Sequence, residues 1–382
     1  MTFSTLALIG VIALLGPLLA LPAGWHLPVV LGELLAGLLF GATGLDLVHS
    51  GDATFTFLAS IGFALVMFVA GSRVPVRDAR LRGALRVGAL RAVGVGLLSA
   101  GAAFAIARSF HTGHAGLYAV LIASSSAALV LPIVDSLRLE GSDVLALLAQ
   151  VAIADTVCVV ALPLAIDPAH AARAAVGAVV VLATSGLLFW ALRNLDRSGV
   201  RQRVHRLSED RKFALELRIN LAILFALAAL AVQVHVSIML AGFCFGLAVA
   251  GVGEPRRLAR QLFAITDGFL APLFFVWLGA SIDLGALVRH PKFIGLGVAL
   301  GAAAILCHAL MRLSGQRVAL GTLAAAQLGV PVAAATLGTQ LHLLDAGESA
   351  ALLLGAVITI AAAILGGSLA ARSPSRTGEA AS

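Results

Sequence analysis

"LLAQVAIADTVCVVALPL", Leu147–Leu164, is a run of nearly unbroken hydrocarbon with one aspartate, Asp155, at its middle and no neighbouring charge to neutralise it. A helix crossing a bilayer needs about 20 apolar residues at about 1.5 Å rise to span about 30 Å of hydrocarbon. An ionised carboxylate at that depth costs about 3 kcal/mol or more. Such a group either faces a protein interior or water-filled cavity as part of a functional site, or stays protonated and pins helices together.

The rest of the chain is built for the same solvent. Of 382 residues 60% are hydrophobic and 12% charged, with a mean hydropathy of +1.03, beyond what a water-soluble fold carries on its surface. The sequence predicts an all-α polytopic membrane protein with about 13 transmembrane helices, at about 3–21, 28–44, 54–71, 92–107, 114–135, 144–165, 172–192, 219–233, 235–251, 262–282, 293–311, 318–340 and 347–370. Only Gln233–His235 separates the eighth from the ninth. The N-terminal segment lacks the basic start of a cleaved signal peptide and is kept as the first span. The tail 372–382 is polar and expected to be disordered and cytoplasmic.

An odd number of spans puts the termini on opposite sides. With the N-terminus outside, the cytoplasmic segments 73–91, 136–143, 193–218, 252–261, 312–317 and the tail hold all but Arg108, Arg173, Arg289 and Lys292 of the 26 Lys and Arg. That asymmetry is the positive-inside rule. The net charge of +7 therefore reports topology in a cell (inner or plasma) membrane, and nucleic-acid binding is not expected. Cys158, Cys244 and Cys307 lie inside spans without the close pairing of a zinc or redox motif, and read as packing residues. Small-xxx-small spacings at Gly37/Gly41 and Gly297/Gly301 let helix backbones approach closely.

Few central polar groups remain. Asp46, Asp52, Asp135, Asp267 and Asp283 can reach an interface, and Glu33, about one turn into the second span, reads as structural. The fifth span carries Ser124, Ser125 and Ser126 with Pro132 near its end. The twelfth carries "AAAQLGVPVAAAT", with Gln327, Gly329 and Pro331. Proline removes an amide donor, so both spans are expected to be interrupted where the freed backbone is buried or lines a cavity. Spans five and twelve hold matching places if the chain is two repeats, about 1–166 and about 214–371, joined by a linker helix at about 172–192 that inverts the second. Paired interruptions in inverted halves point to a transport site at the midplane.

These residues resemble the cation:proton antiporter superfamily, specifically its sodium/proton exchanger domain of the Kef-like and Nap-like kind. The resemblance is carried by "LPVVLGELLAGLLFG" (Leu27–Gly41), "IASSSAALVL" (Ile122–Leu131), "LLAQVAIADTVCVV" (Leu147–Val160) and "PLFFVWLGASID" (Pro272–Asp283), and spans 1–371. It implies a homodimer with a dimerisation domain and a moving core domain, two crossed discontinuous helices, and Asp155 as the ion-binding aspartate. Three positions depart from the family pattern. Ala154 stands where an acid or amide usually precedes the aspartate, His308 where many members have a lysine, and the "QLGV" of Gln327–Val330 keeps only Gly329 of an Arg-Gly-Glu. The first two changes agree on charge, since a histidine can go neutral once its acidic partner is gone.

The expected function is exchange of a monovalent cation, Na⁺ or K⁺, for protons by alternating access. Asp155 would alternate between proton and cation, Ser124, Ser125 and backbone carbonyls would supply neutral oxygens, Gln327 would line the cavity, and His308 would be either a site residue or a packing histidine. A sodium-coupled symporter or organic-anion carrier of the same fold and a transport-inactive scaffold or sensor remain as alternatives. Enzyme chemistry is not expected, because no nucleophile elbow, intramembrane aspartate pair or His-Glu-x-x-His motif occurs. No cofactor is expected either, and no soluble Rossmann unit follows the last span to carry nucleotide regulation.

Overall fold

The computed structural model describes residues 1–21, 29–72, 79–199, 213–234, 236–253, 256–282, 284–345 and 347–372. Every regular element among them is helical, as a bilayer demands when each backbone amide and carbonyl has to be satisfied within its own segment. The described residues sort into two compact units.

The first unit takes in Met1–Leu21, Val29–Arg77 and Asp167–Ile282. It contains α1 (Phe3–Ala13), α2 (Leu15–Ala20), α3 (Val29–Phe40), α4 (Ala53–Ser72), α9 (Ala171–Arg197), α10 (Leu215–Gln233), α11 (Ile238–Val252), α12 (Arg256–Ile265) and α13 (Ala271–Ser281), with a π-helical turn at Thr266–Leu270 between the last two. Its helices pack backbone to backbone. A Cβ on Gly37 would strike the Val276 carbonyl and one on Gly279 the Leu34 carbonyl, a reciprocal contact of α3 with α13. Gly71 and Gly246 meet the carbonyls of Phe243 and Phe68 in the same way where α4 crosses α11. Phe63 stacks on Phe274 at 4.8 Å between ring centroids.

The second unit takes in Asp78–Ile166 and Asp283–Ser382. It contains α5 (Ala79–Phe110), α6 (Ala115–Ala123), α7 (Ala127–Ser136), α8 (Ser142–Ile166), α14 (Leu284–Arg289), α15 (Pro291–Ala309), α16 (Val318–Ala324), α17 (Gly329–Gln340) and α18 (Glu348–Arg372). Here α15 lies on α18 through Gly297, 2.8 Å from the Ala351 carbonyl, and Gly301, 3.0 Å from the Gly355 carbonyl, both measured from an ideal Cβ.

Among the described residues eleven helical segments are long and apolar enough to cross a membrane. The stretches expected at 28–44 and 235–251 instead form shorter apolar helices, α3 of 12 residues and α11 of 15. After Phe40 the chain turns, with Asp46 left-handed at φ 52°. At its start α11 is capped by the Ser237 hydroxyl, which accepts the Met239 N–H at 3.2 Å. The tail 373–382, His235 and Asp283 lie outside the described residues.

Candidate functional site

The fifth and twelfth spans are both interrupted, and each break lies beside the other. The fifth is α6 and α7 with Ser124–Ser126 between them, and the twelfth is α16 and α17 with residues 325–328 between them. A helix that stops inside a protein exposes carbonyls at its end and amides at its restart. The breaks satisfy these with side chains from one another. Gln327 donates its Nε2 to the Leu121 carbonyl at 2.7 Å, on the last turn of α6. Ser125 donates its Oγ to the Ala324 carbonyl, the last of α16, at 2.7 Å. Ser124 donates back to Leu121 at 2.8 Å, and the Gln327 amide is fixed by Thr359 Oγ1 of α18 at 3.2 Å.

Pro132 does not make the fifth-span break. It is the sixth residue of α7, after the chain has become helical again. One missing amide in a membrane helix is tolerated, whereas three successive serines whose hydroxyls compete for backbone partners, next to a second chain that accepts them, give the chain a reason to stop. Gly329 and Pro331 are the first and third residues of α17. There a proline forfeits nothing, because the first amides of a helix have no intrahelical partner.

Asp155 lies on α8 and is buried, and its Oδ2 accepts the N–H of Ala127, the first residue of α7, at 2.9 Å. Ser126 precedes that helix without capping it through its side chain, so the carboxylate of α8 does the capping. The partial positive charge at a helix start favours an anion there. Ala154 beside it is buried and supplies no charge.

His308, the fully buried ring near the end of α15, does not bond Asp155. Its Nδ1 is 2.9 Å from the Ala304 carbonyl and its Nε2 is 3.3 Å from Ser125 Oγ. The structure thus brings Asp155, Ser124, Ser125, His308 and Gln327 onto one pair of interruptions, with Asp155 holding residue 127 and His308 holding residue 125. Thr359, the support behind Gln327, escaped the sequence reading, since a threonine in an apolar helix carries no distinguishing pattern. So did a second buried carboxylate, Glu348, which accepts from Tyr118 Oη at 2.6 Å and sits 2.7 Å from His114 Nδ1. The i, i+4 pair His114/Tyr118 and the Asp345-x-x-Glu348 spacing of a helix cap were its only signals. Among the described residues no group of three or more His, Cys, Asp or Glu could hold a metal. One carboxylate among hydroxyls and carbonyls is instead the hard oxygen set that suits an alkali cation.

Two interrupted helices joined break to break, with a carboxylate of the next span capping one of them, are an arrangement of the kind that forms the midplane sites of secondary transporters. The family described as "Sodium/hydrogen exchanger, transmembrane" matches residues 10–371. The chain belongs to that family, which is one of transporters. It is 24% identical over 377 residues to the putative Na(+)/H(+) antiporter YjbQ of Bacillus subtilis, covering 93% of this chain and 61% of that protein. It is 31% identical over 279 residues to the glutathione-regulated potassium-efflux system protein KefC of Cronobacter sakazakii, covering 69% of this chain and 42% of that one. The chain therefore spans less than two thirds of the length of either relative. The structure of the sodium proton antiporter MjNhaP1 from Methanocaldococcus jannaschii has the same fold, with a TM-score of 0.65 at 17% identity over 97% of this chain and 96% of that one.

Proposed function

We propose that the protein exchanges a monovalent cation, Na⁺ or K⁺, for protons across the membrane by alternating access, with Asp155 carrying either the proton or the cation. The observation that supports this most is the buried Asp155 carboxylate on the first amide of α7, where a proton or an alkali cation can complete the same site. Ser124, Ser125 and the carbonyls at the ends of α6 and α16 are the neutral oxygens within the same break, and Gln327 holds their spacing. The names of YjbQ, KefC and MjNhaP1 speak of sodium, potassium and proton movement in those proteins, in line with this reading. With one carboxylate at the site, one-for-one exchange follows.

The same reading places the chain as a homodimer in the cell membrane, N-terminus outside. It also divides the chain into inverted repeats at about 1–166 and 214–371. In support of the repeats, each half of the chain gives its earlier helices to the first unit and its later ones to the second. The test is dissipation of a pH gradient in proteoliposomes by Na⁺, K⁺ and Li⁺. Asp155→Asn keeps the volume and loses the exchangeable proton, so cation-dependent proton movement should vanish while the protein stays folded. Wild-type rates in the variant would remove Asp155 from the mechanism.

A further inference from the structure

The first half of the interrupted fifth span, α6, is only nine residues, about 13 Å long, and it is tied down at both ends. Its last turn accepts Gln327 at Leu121. Its first turn meets Glu348 of α18, a carboxylate with no exposed surface that accepts Tyr118 Oη at 2.6 Å, sits 2.7 Å from His114 Nδ1, and takes the Asp345 N–H at 3.0 Å on its other oxygen. α18 returns to the breaks at Thr359, which holds the Gln327 amide at 3.2 Å. The contacts close a ring: Glu348, Tyr118, Leu121, Gln327, Thr359 and back along α18. His114, bonded to Glu348 beside this ring, faces solvent with about a quarter of its side chain exposed.

We propose that Glu348 is a positioning residue for the ion site, acting through Tyr118 and α6, and that proton binding at His114 sets how firmly it holds. This rests on the reading of Asp155 and its breaks as the transport site. The groups facing His114 are Glu348, to which it bonds, Tyr118 across the same oxygen, and Asp345 farther off; Lys292 of α15 reaches Asp345 at 4.0 Å. The hydrogen bond to Glu348 holds the imidazole above the usual histidine range. Its charged bond is therefore complete below the ordinary value of about 6.5 and is lost as pH rises through the raised one. A neutral ring keeps one N–H for two acceptors, Glu348 and the Leu343 carbonyl, and its bond to Glu348 loses the charge, so α6 is held less firmly.

The experiment is the pH profile of the apparent cation KM in proteoliposomes for wild type, His114→Gln and Glu348→Gln, with Asp155→Asn beside them. In wild type KM should rise through an inflection above pH ~6.5, and His114→Gln, which keeps a donor but cannot titrate, should lose that inflection while keeping any step that belongs to Asp155. Glu348→Gln should raise KM about fivefold or more at low pH, the lower range of coupling between sites. Wild-type profiles in both variants would overturn the inference. If the buried variant fails to fold, an unchanged inflection in the surface variant His114→Gln overturns it alone. An inert Asp155→Asn beside a His114→Gln that titrates as wild type sinks this inference only, whereas an active Asp155→Asn sinks the transport site and this inference with it.

Discussion

At the scale of single residues, the proton count of His308 decides what that ring does. The Ala304 carbonyl can only accept, so Nδ1 carries a proton, and Ser125 has already given its single proton to Ala324. A neutral His308 therefore offers Nε2 as an acceptor to a hydroxyl with nothing left to give. A protonated ring completes the chain from Ala304 through His308 and Ser125 to Ala324. The 3.3 Å separation at Ser125 is thus a bond that strengthens when the ring gains a proton, two residues from the amide that holds Asp155. His308→Lys would put a permanent cation at this spot, favour the Asp155 carboxylate, and move the activity window to lower pH by about one unit. His308→Ala should move it the other way. Unchanged pH optima in both variants, with only their thermal stability altered, would make His308 a packing residue. Asp155 stood out in the sequence because it is a lone charge at the middle of an otherwise apolar span. The partners of His308 were not, since the serines it serves are 183 residues away and no local spacing records that meeting. Glu348 was missed for the opposite reason: at the first position of its span it looked free to reach water, yet the cap formed with Asp345 turns it inward.

At the scale of helices, packing follows small residues more closely than it follows hydrophobic faces, as expected where lipid is as apolar as leucine. The spacing Gly37/Gly41 was readable as a close-approach surface, and both residues lie against α13, Gly41 with an ideal Cβ 2.5 Å from Ala280 Cα. Their partner Gly279, with no such spacing to mark it, was not. Gly37→Ala or Gly279→Ala should lower stability by about 1–3 kcal/mol, the cost of overpacking a filled contact, because the obstructing atoms are backbone carbonyls that no rotamer change can move. Gly96→Ala and Gly101→Ala on α5, where an added Cβ meets nothing within 4 Å, are the controls and should be neutral or slightly stabilising. Thermal unfolding in detergent measures all four, and a Gly37→Ala protein that melts with wild type would refute the α3–α13 contact. The interruptions show the limit of the same reading. Proline marked the twelfth span correctly to within one turn but misled in the fifth, because what stops α6 is the availability of Ala324 and Asp155 as partners, a tertiary fact.

For the whole molecule, the arginines make a claim about sidedness that the helices alone do not. Cytoplasmic placement of the 136–143 and 312–317 connections, and of the basic segments between spans, puts the Ser50 turn, the His114 end of α6 and the start of α18 on the outer side. Thiol labelling is well suited to test this, because the three native cysteines, Cys158, Cys244 and Cys307, are all buried and free. An impermeant reagent should therefore meet little background. In intact cells Ser50→Cys, on the turn before α4, should react from outside. Glu140→Cys, on the exposed connection before α8, should react only after the membrane is opened. The pair is chosen so that one reversal suffices: labelling of Glu140→Cys but not Ser50→Cys in intact cells would invert the orientation, turn the His114 ring toward the cytoplasm, and make internal pH the variable that it reads.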